Sequence, residues 1–210
     1  MSIPQSGGGP IEHHAQLAEY MAEGCKPKGE WKIGTEHEKF GYCKDSLLPI
    51  PYEGARSVRA VLEGLQHKHG WNPVFEGENI VGLQKDGANV SLEPGGQLEL
   101  SGAPLENIHQ TCAEVSGHLQ EVQAVAETLG QSYMGLGYAP AWGLKQAPRM
   151  PEGRDLLMNQ YMPKQGGRGL EMMYLTATVQ VNLDFGSEAD MVQKLRVALA
   201  LQPVATALFA

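Results

Sequence analysis

The stretch NIVGLQKDGANVSLEPGGQLELS, residues 79–101, is the key to the fold. Residues 79–85 and 88–93 flank Asp86-Gly87, a pair suited to the positive-φ positions of a two-residue hairpin. Pro94-Gly95-Gly96 makes a second turn, and residues 97–101, QLELS, read as a third short strand. Strands joined by turns this tight run antiparallel, because parallel neighbours need a crossover of about a dozen residues or more. Working outward, residues 31–43, WKIGTEHEKFGYC, alternate and carry Ile, Phe and Tyr, so they read as a strand. Residues 132–138 and the long run 172–185, MMYLTATVQVNLDF, read as two more.

Helices fill the intervals. Val58, Val61, Leu62 and Leu65 recur at helical spacing within residues 55–69. Residues 104–129 carry a continuous stripe, Leu105, Ile108, Cys112, Val115, Leu119, Val122, Ala126 and Leu129, followed by Gly130 where a C-terminal glycine belongs. Such a stripe means packing on a sheet, and Cys112 within it reads as a packing residue. Shorter helices are expected at 11–24 and at 151–162, the latter with Pro151 in its first turn. QGGRG, residues 165–169, reads as a flexible loop. Ser187 and Asp190 resemble a capping box that starts a last helix. That helix runs to ATALFA with no glycine and no basic last turn, so the chain is expected to be cut from a larger protein.

The 210 residues suit roughly one domain of ~100–200 residues, and 42% hydrophobic with 19% charged content is that of an ordinary globular protein. With a net charge of −8 and no Lys/Arg cluster, nucleic acid is an unsuitable partner. Cys25, Cys43 and Cys112 are far apart and show neither zinc spacing nor a disulfide framework. Residues 1–9 are Gly- and Ser-rich and expected to be disordered. The start lacks a signal peptide's basic and apolar regions. The longest apolar stretch, Val197 to Ala210, is shorter than the ~20 residues that span a bilayer. A cytoplasmic protein without a membrane partner is expected.

Side chains on a strand alternate faces. Glu36 and Glu38 therefore point the same way, as do Ser91 and Glu93, and as do Gln97, Glu99 and Ser101. In the long run, Thr176, Thr178, Gln180, Asn182 and Asp184 share a face opposite Leu175, Ala177, Val179, Val181, Leu183 and Phe185. The apolar faces call for helices, and the polar faces suit one cleft. Oxygen-rich faces of this kind suit magnesium, which is often shared with nucleotide phosphates. A cluster of Glu36, Glu38, Glu93 and Glu99 would repel itself without cations. Alternation by itself more often means a sheet with one solvated face. The scarcity of lysine on these faces is what points toward a site. Arg154 has the planar fork that clamps a carboxylate, and a surface ion pair is an equal use of it. Lys164 and Arg168 flank a loop that lacks the strand–loop–helix setting of a phosphate site. His37 lies between the two glutamates and points to the opposite face, where a structural role is expected.

Six segments carry a resemblance: GTEHEKFG (34–41), EGENIVGL (76–83), SLEPGGQLELSGAPL (91–105), HQTCAEV (109–115), MPEGRDLLMNQYMP (150–163) and TATVQVNLDFGSEADM (176–191). In this order, from about residue 30 to Ala210, they resemble the plant and proteobacterial type of glutamate–cysteine ligase, N-terminal half. The resemblance implies an α+β, glutamine-synthetase-like catalytic fold: a curved antiparallel sheet with helices on its outer face, here truncated. Residues 1–30 would be a flexible N-terminus with a short helix, and 31–210 the N-terminal half of the catalytic domain. It further implies Mg2+ as cofactor, ATP as co-substrate, and glutamate and cysteine as substrates. ATP would phosphorylate the glutamate γ-carboxylate, and the cysteine amine would displace the phosphate. On matching positions, Glu36 and Glu38 resemble catalytic metal ligands, and Glu93 and Glu99 further metal or substrate ligands. Thr178, Gln180 and Asn182 lie on the strand implied to contact nucleotide or substrate, and Arg154 is implied to hold a substrate carboxylate. The segment departs from the family pattern in reading GRD rather than GRY. Three other readings compete: a ligase with another amine acceptor, an inactive fragment that binds metal, ATP or a partner chain, and a metal-dependent hydrolase.

Overall fold

The computed structural model describes residues 9–209. The expectation of a disordered start falls on residues 1–8, which lie outside the described residues. The described chain divides into two units, residues 34–181 and residues 9–33 with 182–209.

The strands are β1 (Ile33–Cys43), β2 (Asn72–Glu76), β3 (Asn79–Lys85), β4 (Ala88–Leu92), β5 (Leu98–Ser101), β6 (Gln131–Met134) and β7 (Val179–Leu183). They form one mixed-order sheet, β2-β3-β4-β5-β1-β6, with β7 also pairing β1. The pairings β2–β3, β3–β4, β4–β5, β5–β1 and β1–β6 are antiparallel, and the sheet is not closed into a barrel. The hairpin expected at Asp86-Gly87 is present, with φ of 50° and 84° at the two turn residues. Gly96 at φ 77° turns the chain from β4 into β5. β2 was not legible in the sequence, because NPVFE is short, opens on Asn-Pro and shows no alternation of burial.

Two helices cover the apolar face of residues 34–181. The first, α2 (Val58–His69), starts where Ser57 Oγ accepts the Ala60 N–H at 3.1 Å and ends on Gly70 at φ 73°. It buries Val58, Val61, Leu62 and Leu65 against Leu83, Val90, Leu92, Leu98 and Leu100. At about 1.5–3 kcal/mol for each fully buried aliphatic side chain, this seam is a principal source of stability. The second, α3 (Ile108–Thr128), is capped by Asn107, whose side chain accepts from the N–H groups of His109 and Gln110. Its buried residues are Thr111, His118, Val122, Val125 and Ala126. Of the expected stripe, Val122 and Ala126 are buried and Val115 and Leu129 pack on the core, whereas Ile108, Cys112 and Leu119 are exposed. Ile108 is 69% exposed and Cys112 is exposed, so Cys112 is not a packing residue. The reason lies in partners: the helix seats Val125 against α2 where Gly64 leaves room for it.

The expected long strand 172–185 is corrected. Residues Gly169–Leu175 form a helix, α5, and only Val179–Leu183 are strand β7. Met173, Tyr174 and Leu175 are all buried, which a two-faced strand on one core cannot achieve. Gly95 admits this helix, since a Cβ there would lie 2.5 Å from the Tyr174 carbonyl oxygen. Gln97 Nε2 then donates to the Thr176 carbonyl at 2.6 Å. α4 (Gly153–Gln165) precedes it, and Phe40, Met173, Tyr174, Leu175 and Ala177 build a second core cluster.

In the other unit, α1 (Ala15–Glu23) and α6 (Glu188–Phe209) have no buried residue. The expected cap of α6 is present, with Asp190 N–H donating to Ser187 Oγ at 3.2 Å. Asp184 is tied to Lys26 Nζ at 2.7 Å and accepts the Lys32 N–H at 2.9 Å. Among the described residues no helix is long and apolar enough to cross a membrane.

Candidate active site

The β1–β5 register sets Glu38 opposite Glu99 and Glu36 opposite Ser101, and the β4–β5 register sets Ser91 opposite Glu99. The polar faces read from the sequence therefore share one side of the sheet. Their apolar neighbours Leu98 and Leu100 lie on the helix-covered side, together with His37 and Lys39, which pair with them. Lys39 is 5% exposed, and burial brings its amine down to about 8 against the pull of Glu99 and Glu38. His37 is lowered by burial and then by Lys39, in keeping with a structural role.

Glu99 is 1% exposed. Ser91 and Ser101 each donate to it at 2.9 Å. Burial works to raise its pKa, but the hydrogen bonds from Ser91 and Ser101, with a further one from Glu36, bring it below the ordinary carboxylate value. Glu38 is held from β7 and the residue before it. Thr178 Oγ1 donates to Glu38 Oε1 at 2.7 Å, and the Thr178 N–H donates to Oε2 at 3.0 Å. Gln180 Nε2 reaches both Glu38 Oε1 at 3.4 Å and Thr178 Oγ1 at 3.1 Å.

These residues open onto a cleft of about 310 Å³ lined by Glu38, Glu93, Arg154, Thr178 and Gln180, with Met158, Met172 and Met173 as its apolar wall. The structure thus brings five of the sequence-derived candidates to one cavity. Glu99 and Glu36 lie beside it through their contacts with each other and the Glu38 register. Asn182 belongs to the other unit and is not part of this cleft. Met158, Met172, Met173 and Pro94 were missed as wall residues; the adjacent Met172-Met173 pair ahead of TATVQ was the available signal.

Arg154 stands at the start of α4, where its Nε lies 3.4 Å from Asp155 Oδ1. Beside it, Gly153 N–H donates to Glu76 Oε1 at 2.9 Å. Glu152 and Asp155 are 2% and 3% exposed. Burial, then Asp155, pushes the Glu152 carboxyl up to about 8, and burial raises Asp155 as well. Arg168, on an exposed turn, lies 3.4 Å from Glu171.

As to a metal, the donor set is all oxygen, the kind that suits magnesium. Glu36 and Glu99 are hydrogen-bonding neighbours, which puts two carboxyl groups within reach of each other. Among the described residues, no three His, Cys, Asp or Glu side chains are gathered closely enough to hold a metal ion as they stand.

A family model described as glutamate–cysteine ligase family 2 matches residues 32–210. The chain is 56% identical over 194 residues to the chloroplastic glutamate–cysteine ligase of Medicago truncatula, covering 92% of this chain and 38% of that protein. It is 57% identical to the chloroplastic enzyme of Nicotiana tabacum, covering 92% of this chain and 37% of the other. It is 49% identical to chloroplastic glutamate–cysteine ligase A of Oryza sativa subsp. japonica, covering 100% of this chain and 46% of the other. The chain therefore spans less than half the length of these relatives. The expectation of a cytoplasmic protein is overturned, since these relatives are all named chloroplastic.

Proposed function

The chain belongs to glutamate–cysteine ligase family 2, and we propose that the protein it forms part of joins L-glutamate to L-cysteine at the expense of ATP, in glutathione biosynthesis. The observation that carries the reading beyond family membership is the Glu38–Glu99 pairing beside a cleft that also holds Glu93, Arg154, Thr178 and Gln180. The relatives' chloroplastic names support a plastid location.

In this proposal the glutamate γ-carboxylate attacks the terminal phosphorus of ATP and ADP departs. The cysteine amine then attacks the acyl carbon and loses a proton, the acyl C–O bond breaks, and phosphate leaves carrying the former carboxylate oxygen. Magnesium, when bound, offsets charge on the transferred phosphoryl group. Glu36, Glu38, Glu93 and Glu99 are its proposed ligands. Thr178 and Gln180 fix the Glu38 carboxylate in orientation, and Ser91 and Ser101 do the same for Glu99. Preset groups of this kind need not reorganise during the reaction, and positioning with electrostatics supplies most of the catalysis. Arg154 faces the cleft and is the proposed clamp for a substrate carboxylate, with Asp155 limiting its swing. The glutamine-synthetase-like architecture belongs to the same proposal.

The test is γ-glutamylcysteine formation by the whole protein, followed as ADP and phosphate release that requires glutamate, cysteine and magnesium. Release that is equal with other amines in place of cysteine would defeat the acceptor assignment. Product formed without ATP would defeat the ligase reading. The 210 residues alone are expected to release no phosphate.

A further inference from the structure

Gln97 shares the alternation of Glu99 and Ser101, yet it is 1% exposed and does not line the cleft. Its Nε2 donates to two carbonyl oxygens, Thr176 at 2.6 Å and Met173 at 3.4 Å. Carbonyl oxygens only accept, so they fix which end of the amide faces them. Both carbonyls stand at the C-terminal end of α5, where a helix leaves its last carbonyls without intrahelical donors.

The Thr176 carbonyl and the Ala177 N–H belong to one peptide unit. Gln97 holds the first, and the Ala177 N–H donates to the Gly137 carbonyl at 3.2 Å. A planar unit held at both edges has a fixed orientation. The next N–H along the chain is that of Thr178, which donates to Glu38 Oε2 at 3.0 Å. The Glu38 N–H donates back to the Thr178 carbonyl at 3.0 Å. Gln97 also closes the turn between β4 and β5, where its own carbonyl accepts the Glu93 N–H at 2.9 Å. Gly95 makes room for the folded side chain, since a Cβ there would lie 2.7 Å from Gln97 Oε1. One buried residue is thus bonded through its main chain to Glu93 and, through a single pinned peptide, to the group that grips Glu38.

We infer that Gln97 is a positioning residue that sets the spacing of Glu38 and Glu93, two carboxylates that line the cleft, without itself touching what binds there. Without the Nε2 hydrogens the Thr176–Ala177 peptide is free to rotate, and the Thr178 N–H loses its aim at Glu38. The effect on turnover rests on the ligase reading proposed above, whereas the positioning can be read without turnover.

The experiment uses the whole protein with Gln97→Met, which keeps the length of the side chain but has no N–H, and Gln97→Leu as a second variant, with a melting temperature for each. Amide hydrogen exchange at Glu38 and Thr178 is expected to quicken about tenfold more than at Val61 and Leu62 of α2, one hydrogen bond's worth. The magnesium concentration for half-maximal rate should rise about tenfold, a change that mere loss of folded protein, which lowers only the apparent kcat, does not produce. In the unaltered protein, a scalar coupling across the hydrogen bond from Gln97 Nε2 to the Thr176 carbonyl carbon is expected, and its absence would overturn the inference whether or not the variants fold. Unchanged exchange at Glu38 and Thr178 in a folded variant, or an unchanged magnesium requirement beside quickened exchange, would overturn it as well. Unaltered protein that makes no γ-glutamylcysteine would sink the ligase reading instead, and the exchange measurement would still decide the positioning.

Discussion

Glu38 on β1 and Glu99 on β5 are direct partners across an antiparallel pairing, so two carboxyls sit at facing positions on the same side of one sheet. Opposed like charges weaken a sheet unless something offsets them. Here Ser91 and Ser101 serve Glu99, while Thr178 and Gln180 serve Glu38.

If the pair holds a cation, neutralising either member should impair the whole protein's activity more than its stability. Glu38→Gln and Glu99→Gln are each expected to lower kcat by at least about 10²-fold, in the range seen when a group that stabilises transition-state charge is lost. Both should raise the magnesium concentration needed for half-maximal rate. Steady-state kinetics across a magnesium series, beside a urea melt, reads the two effects separately. A variant with unchanged magnesium dependence would show that its carboxylate is not a ligand.

Thr178 acts through Glu38. Its hydroxyl and N–H both bind the carboxylate, and only the hydroxyl is removed in Thr178→Val. A hydrogen bond to a charged group is worth about 1.5–3 kcal/mol, which corresponds to roughly ten- to a hundredfold in rate. Thr178→Ser should restore most of the loss. Failure of serine to rescue would mean that the threonine methyl, not its hydroxyl, matters.

Gly64 marks where α2 and α3 touch. A Cβ at this position would lie 2.5 Å from Val125 Cγ1. Gly64→Ala is therefore expected to destabilise the chain by about 1–3 kcal/mol despite alanine's better helix propensity. Combining it with Val125→Ala should cost less than the sum of the two single changes. Urea denaturation of the four proteins forms the cycle.

His118 gives the acid limb of stability a definite sign. It is 4% exposed, neither ring nitrogen has a partner, and its ring meets Trp71 edge-on at 6.1 Å. Burial, then Lys39 and His37, lowers its pKa to about 3. The unfolded chain takes up a proton on this imidazole below about 6.5, whereas the folded chain does so only near 3. Stability should therefore fall as pH drops from about 6.5 toward 3. His118→Phe keeps the aromatic contact, removes the orphaned nitrogens and should flatten that limb. Melts from pH 7 to pH 4 would show no difference in slope if the residue is not responsible.

Periodicity of two and three to four, with turn residues at the right offsets, determined β1, the Asp86-Gly87 hairpin, β5 and α2. These depend on local sterics and on which side chains avoid water, and both are written in adjacent residues. The same alternation put Glu36, Glu38, Glu93 and Glu99 on polar faces, and the six motifs carried the family. Tertiary structure decided the rest. LEMMYL and TATVQV are one apolar-rich run in sequence, yet the first became α5 because Gly95 lets its backbone approach and three successive side chains find cover. α3 also buries Val125, which the expected stripe left out, where Gly64, distant in sequence, offers it space. Which carboxylate faces which is a matter of strand register, and register is set by pairing energies summed over whole strands rather than by any single residue's preference.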